Sequence, residues 1–293
     1  MTKNIIFEGA ATALITPFSD GKIDFDAFEK LIEFQIENGI NAIAVTGTTG
    51  EASTLSDSEH RACIAFAVRA AAGRVPVIAG TGSNDTAHAV EMSKYACRAG
   101  CDALLLVTPY YNRATPRGLS ESYLKIANET DRPIILYNVP SRTGVWLTAA
   151  ALRPLASHPR IVAIKEASGD MGFATRMMAE FGDSLTFYSG NDDITVPMLS
   201  IGGKGVISVL SNIFPREVAD MCLKYRTGDT EGAKNDQLGF LPMVDALFAE
   251  TNPIPIKCAA AMLGLCREEY RLPLCPPSDT VKKRLAQLLE QKT

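Results

Sequence analysis

Clusters of positive charge are missing from this 293-residue chain, in which 29 Lys and Arg stand against 33 Asp and Glu for a formal net charge of −4. Holding a nucleic-acid backbone by bulk electrostatics needs clustered basic residues, so that class of partner is excluded, while small anions stay open as ligands. Histidine is scarce too. The three, His60, His88 and His158, are scattered and no C-x-x-C pair accompanies them, so no metal centre is expected. No apolar run approaches the length of a membrane span. The opening stretch MTKNIIFEGAATALITPF lacks the charged start, continuous apolar core and small-residue cleavage pattern of a secretory leader. Cytoplasm is the expected location. There, the seven cysteines, Cys63, Cys97, Cys101, Cys222, Cys258, Cys266 and Cys275, are expected to be reduced core thiols. Low-complexity stretches and fixed-length repeats are absent as well.

What the chain does have is 46% hydrophobic against 21% charged residues, enough for a large globular core. Apolar runs alternate with segments of helical period: ATALITPF then Asp26 to Gly39, NAIAVTGTT then Ser56 to Gly73, PVIAGTG then Asp85 to Gly100. The rhythm continues through DALLLVTPYY, PIILYNVP, IVAIKEAS, LTFYSGND and GVISVL, which makes eight strands. Nearly continuous Ile, Val, Leu and Ala is the pattern of parallel strands covered on both faces. An α/β chain of eight such units predicts a (β/α)8 barrel over residues 1–228, ahead of a doubly wound open sheet, which would want a dinucleotide fingerprint. Gly80-Thr81-Gly82 does not supply one, lacking the third glycine and the acidic partner. Past Gly228, Asp229 to Glu250, Ile254 to Leu265 and Ser278 to Glu290 read as helices punctuated by prolines, a helical appendage over 229–293 packed on the barrel or on a neighbouring subunit.

In such a barrel the C-terminal strand ends carry the site. Lys165 closes the run IVAIK, sharing a pleat face with Ile161 and Ala163. Burial disfavours an ammonium, and a neutral amine attacks a ketone carbon to give an iminium. The alternative is a lysine that reaches solvent or pairs with Glu166. Thr48, Tyr111 and Tyr137 lie near other strand ends, where hydroxyls can relay protons to an imine, although a Tyr110-Tyr111 pair also suits packing. The Gly47-Thr48-Thr49-Gly50 turn suits a small carboxylate. Arg142 either grips a carboxylate with two hydrogen bonds or is a solvated loop residue.

Taken together, GTTGE, PYYNR, LYNVPSRTG, AIKEA, GVISV, NPIPIK and YRLP-CPP-SD, in this order and covering nearly the whole chain, resemble the dihydrodipicolinate synthase family of pyruvate-dependent aldolases. The resemblance implies the barrel, a Schiff base of pyruvate on Lys165, and no metal or bound cofactor. It further implies Thr48, Tyr111 and Tyr137 as proton relay, with Tyr111 donated by a neighbouring subunit of a homotetramer. Thr49 would contact the pyruvate carboxylate, and Gly190 and Ile207 would line the lysine's pocket. The PSRTG segment resembles the synthases, where the arginine handles L-aspartate 4-semialdehyde, more than the N-acetylneuraminate lyases or sugar-acid aldolases, whose loop differs. A relative that keeps the barrel and has lost the chemistry is the non-enzymatic alternative. In lysine-inhibited members a pocket holds the inhibitor. His60, Asn84 and Tyr110 match it, but His88 stands in place of a carboxylate and Asp57 in place of a histidine, which implies weak or absent inhibition by lysine.

Overall fold

The computed structural model describes residues 5–291; the first four residues, part of the stretch read above for a leader, and the last two lie outside the described residues. Eight parallel strands close into a barrel: β1 (Gly9–Ala13), β2 (Ala42–Val45), β3 (Val77–Gly80), β4 (Ala103–Val107), β5 (Ile134–Asn138), β6 (Ile161–Glu166), β7 (Thr186–Ser189) and β8 (Gly205–Ser208). Each strand pairs with its sequence neighbours, and β8 returns to β1, where Ala11 lies beside Ile207. All eight apolar runs are therefore strands. The ends of the runs are not, because Thr46 to Glu51 and Thr108 to Arg113 already belong to the loops at the mouth.

Between strands lie α1 (Phe25–Glu37), α2 (Asp57–Ala71), α3 (Thr86–Ala99), α4 (Pro116–Glu129), α5 (Ala149–Ala156), α6 (Met171–Phe181), α7 (Thr195–Ser200) and α8 (Pro215–Thr227). Their boundaries follow from capping chemistry. Ser56 accepts from the Glu59 amide while the Glu59 carboxylate takes the Ser56 amide, the reciprocal box expected from S-x-x-E. Gly100 ends α3 in the left-handed conformation that a residue without Cβ adopts freely. A short ribbon, Phe18–Ser19 against Lys22–Ile23, interrupts the first crossover and was not foreseen.

Pleat parity divides the core in two. Ala11, Ala13, Ala42, Ala44, Ala103, Leu105, Ile135, Tyr137, Ala163, Tyr188 and Ile207 form the barrel interior. Ile43, Val45, Leu104, Leu106, Leu136, Ile164 and Val206 face the helices. Alanine dominates inside, so the lumen keeps room near its mouth. Phe7, just before β1, closes the other end by stacking on Tyr188 at 4.2 Å, and Tyr188 Oη donates to the Phe7 carbonyl at 2.8 Å.

After the barrel come α9 (Thr230–Leu247), α10 (Ile254–Met262) and α11 (Asp279–Glu290). α9 packs against α8 and α11. The segment from Asn252 to Arg271 crosses back over the barrel mouth, where Lys257 meets Glu51 and Arg271 meets Glu59. Among the described residues no helix is long and apolar enough to cross a membrane.

Candidate active site

Lys165 stands at the end of β6 with 5% of its surface exposed. It pairs in register with Tyr137 on β5 and Tyr188 on β7, so the three side chains share the interior face of the sheet. Its Nζ lies 4.4 Å from the centre of the Tyr137 ring. Glu166, one residue on, points to the opposite face, where its carboxylate accepts from Asn138 Nδ2 and from the Ser168 amide, each at 2.7 Å. Burial raises the Glu166 carboxyl above its ordinary range, against the pull of those hydrogen bonds. The Lys165–Glu166 pair considered above is thus excluded by strand parity.

A small recess is lined by Lys165, Tyr137, Thr48, Thr49, Gly50, Gly47, Leu105, Ala13 and Ala44. It adjoins a cavity of about 320 Å³, and Thr48 and Tyr137 line both. Arg142 lies in the larger cavity, just past a one-turn helix start at Pro140, and its Nη2 donates to the Asn252 carbonyl at 2.8 Å. Gly190 sits behind the lysine: a Cβ there would stand 2.9 Å from Lys165 Cε and 2.5 Å from Ala167 Cβ, so only glycine leaves the lysine its channel. Ile207 is fully buried in the same interior layer.

Gly50 keeps the turn after β2 tight: a Cβ there would stand 3.1 Å from the Thr46 amide nitrogen and 3.3 Å from the Leu14 carbonyl oxygen. Thr48 and Gly47 carbonyls are capped by the amides of Glu51 and Ala52. Thr49 is buried, and its Oγ1 accepts from Asn252 Nδ2 at 3.0 Å. Next in the chain, Glu51 adopts a left-handed φ of 53° and is gripped from the appendage by Lys257 Nζ at 2.5 Å. Asp192, near Lys165, is buried; its Oδ2 accepts from the Val209 and Leu210 amides at 2.9 and 3.1 Å. Burial pushes its pKa up, opposed by these bonds, by Ser208 and by the lysine's charge.

Tyr111 is not brought into its own chain's cavity: it is 89% exposed with φ of 72°, on the loop after β4. Among the residues matched to a regulatory pocket, His60, His88 and Tyr110 line the large cavity, whereas Asn84 does not. His60 Nε2 donates to the Gly80 carbonyl at 2.8 Å, and burial holds its pKa below the ordinary histidine value. His88 Nε2 lies 3.9 Å from Asp57 Oδ1. Among the described residues no group of three or more His, Cys, Asp or Glu is arranged to hold a metal ion.

Asn252, Glu51, Lys257 and Asp192 were given no role by sequence reasoning. Asn252 and Lys257 lie in the NPIPIK string, whose order marks a family resemblance, but nothing local says that it reaches residues 49 to 51.

Residues 6–292 match the model of the dihydrodipicolinate synthetase family. The chain belongs to this family. The 4-hydroxy-tetrahydrodipicolinate synthase of Thermodesulfovibrio yellowstonii is 49% identical over 97% of this chain and 98% of that one. Dihydrodipicolinate synthase from Aquifex aeolicus superposes with a TM-score of 0.95 at 44% identity, covering 98% of each chain. A monomeric dihydrodipicolinate synthase variant superposes equally well, at 39% identity over 98% of this chain and 97% of that one.

Proposed function

We propose that this chain condenses pyruvate with L-aspartate 4-semialdehyde through a Schiff base on Lys165, giving 4-hydroxy-tetrahydrodipicolinate for lysine and diaminopimelate synthesis. It is a lyase of the dihydrodipicolinate synthetase family. One observation carries the mechanistic reading: a lysine 95% withdrawn from solvent shares a recess with Thr48, Thr49 and Tyr137 and has no carboxylate hydrogen-bonded to it among the described residues.

Lys165 Nζ adds to the pyruvate ketone and water leaves, forming the iminium. This electron sink makes a methyl proton removable near neutrality. The resulting enamine attacks the aldehyde carbon, and the amine of the second substrate then closes on C2, displacing Lys165 Nζ. Thr48 and Tyr137 pass the protons, completed by Tyr111 of a second copy. Thr49 holds the pyruvate carboxylate, Arg142 that of the aldehyde, and Gly190 and Ile207 shape the lysine's pocket. No metal or bound cofactor takes part in this scheme. The family resemblance implies a tetramer of two tight dimers, and Tyr111, 89% exposed, is free to reach a neighbouring copy. Sedimentation at working concentration tests this, since a fully active monomer contradicts it.

Lysine inhibits weakly or not at all in this reading. Asp57, whose Oδ1 lies 3.9 Å from His88 Nε2, is not among the residues that line the cavity with His60, His88 and Tyr110. Inhibition at sub-millimolar lysine in an initial-rate assay contradicts it. For the central step, borohydride reduction with pyruvate followed by peptide mapping should place one pyruvate-sized adduct on Lys165, absent from Lys165→Ala. An adduct on Lys257, or none, overturns the mechanism.

A further inference from the structure

We infer that Asn252, from the C-terminal segment, is a positioning residue that sets the polarity of the Thr49 hydroxyl. The inference rests on Thr49 facing the pyruvate carboxylate. Thr49 and Asn252 are both buried, with 3% and 6% of their surfaces exposed. Asn252 Nδ2 donates to Thr49 Oγ1 at 3.0 Å. A hydroxyl has one proton and two lone pairs, and a donor pointed at its oxygen occupies a lone pair. The proton of Thr49 is thereby turned away from Asn252 and left for an acceptor in the recess that Thr49 lines.

A carboxylate is such an acceptor and nothing else, because an ionised carboxylate has no proton to give. Asn252 therefore works by being a donor, not merely by filling space. Its Oδ1 is buried and finds no partner among the described residues, so the amide is held in place by the nitrogen's bond and by its own backbone. That backbone does a second task. The Asn252 carbonyl accepts from Arg142 Nη2 at 2.8 Å, so one residue touches the groups assigned to the carboxylates of both substrates. The two contacts are separable by substitution, since changing the side chain leaves the carbonyl in place.

The discriminating variant is Asn252→Asp, nearly identical in shape. Its carboxylate accepts where the amide donated, which captures the Thr49 proton and turns a lone pair toward the incoming carboxylate. Half-saturation by pyruvate, read by borohydride-trapped adduct on Lys165, should rise on the order of 10- to 100-fold in Asn252→Asp, and less in Asn252→Leu. The KM of L-aspartate 4-semialdehyde should move little. In a Thr49→Val background the Asn252→Asp substitution should cost clearly less than in the parent, because the part that acts through the hydroxyl is gone and only the repulsion between its carboxylate and that of pyruvate is left. Asn252→Asp binding pyruvate as well as Asn252→Leu, or an additive double variant with the same thermal stability, overturns the polarity role. Failure of the unaltered chain to form any Lys165 adduct overturns the Schiff-base reading instead, so the two failures are told apart.

Discussion

Lys165 and Lys257 are both buried lysines at the mouth of the same barrel, and their surroundings are opposite. Lys257 is fully enclosed, meets Glu51 at 2.5 Å and lies 3.9 Å from the Phe18 ring, on which Arg271 also rests. Burial pulls its ammonium below the ordinary lysine range while Glu51 pushes it back. Lys165 has an aromatic ring beside it and, among the described residues, no hydrogen-bonded carboxylate. A buried charge that holds a fold together is paired, since losing one partner strands the other. Lys165, to which no carboxylate is hydrogen-bonded among the described residues, is the lysine proposed above to bond pyruvate.

Replacement at each lysine should break this contrast cleanly. Lys165→Ala is expected to lower kcat/KM by roughly 10⁴-fold and abolish the trapped adduct. Lys165→Met should leave thermal stability near the parent's or raise it, because no carboxylate is hydrogen-bonded to Lys165 among the described residues and Asp192 keeps its bonds to the Val209 and Leu210 amides. The second pair member behaves otherwise. Glu51→Gln should cost about 3–5 kcal/mol in denaturant unfolding by leaving Lys257 unpaired, and the Glu51→Leu/Lys257→Met double variant should regain most of it. If Lys165→Met proves as destabilising as Glu51→Gln, the contrast is wrong.

Arg142→Lys sharpens the boundary between chemistry and scaffold. Loss of the planar fork should raise the KM of the aldehyde about 10-fold or more at unchanged stability, with pyruvate trapping intact. The smallest effect is expected at Glu59, whose carboxylate takes two hydrogen bonds from Arg271, at 2.6 and 2.8 Å. Arg271 chiefly, with help from Ser56 and against burial, lowers the Glu59 carboxyl to about 2 from 4.5. A depressed carboxyl stabilises fully above its unfolded value, and that contribution drains away as pH falls from about 4.5 toward 2. Glu59→Gln should therefore flatten the acid limb of stability over that window, at a cost near pH 7 of about 1 kcal/mol or less, given partial exposure. An unchanged acid limb would remove Glu59 from the grip.

Much of the molecule was legible because its signals are local. Continuous apolar runs marked each barrel strand, S-x-x-E marked the start of α2, and pleat parity put Lys165 with Ala163 on one face but wrongly added Ile161, which a register irregularity between β5 and β6 leaves on the helix side. The same parity, applied to Glu166, would have separated it from Lys165 without a structure. Strand ends were overextended at Thr46 to Thr49 and Thr108 to Tyr111, since the Thr and Tyr residues there have the β-propensity of strand residues. The ribbon at Phe18 was missed because two residues per strand carry no period. Asn252 and Lys257 were silent for a different reason: their partners lie more than 200 positions away, and no spacing rule spans that distance.

That distance also fixes when the site can exist during synthesis. The contacts Asn252–Thr49, Lys257–Glu51 and Arg271–Glu51 close loops of 203, 206 and 220 residues. A ribosome that has released all eight strands has not yet made these partners, so Glu51 emerges early and stays an unmatched anion until the last fifth of the chain arrives. Non-local closures of this kind are slow, so the turn at Thr49 to Glu51 is expected to gain these partners late in folding. A chain that stops short of Asn252 leaves the turn at Thr49 to Glu51 without the side chains that hold it in the finished protein.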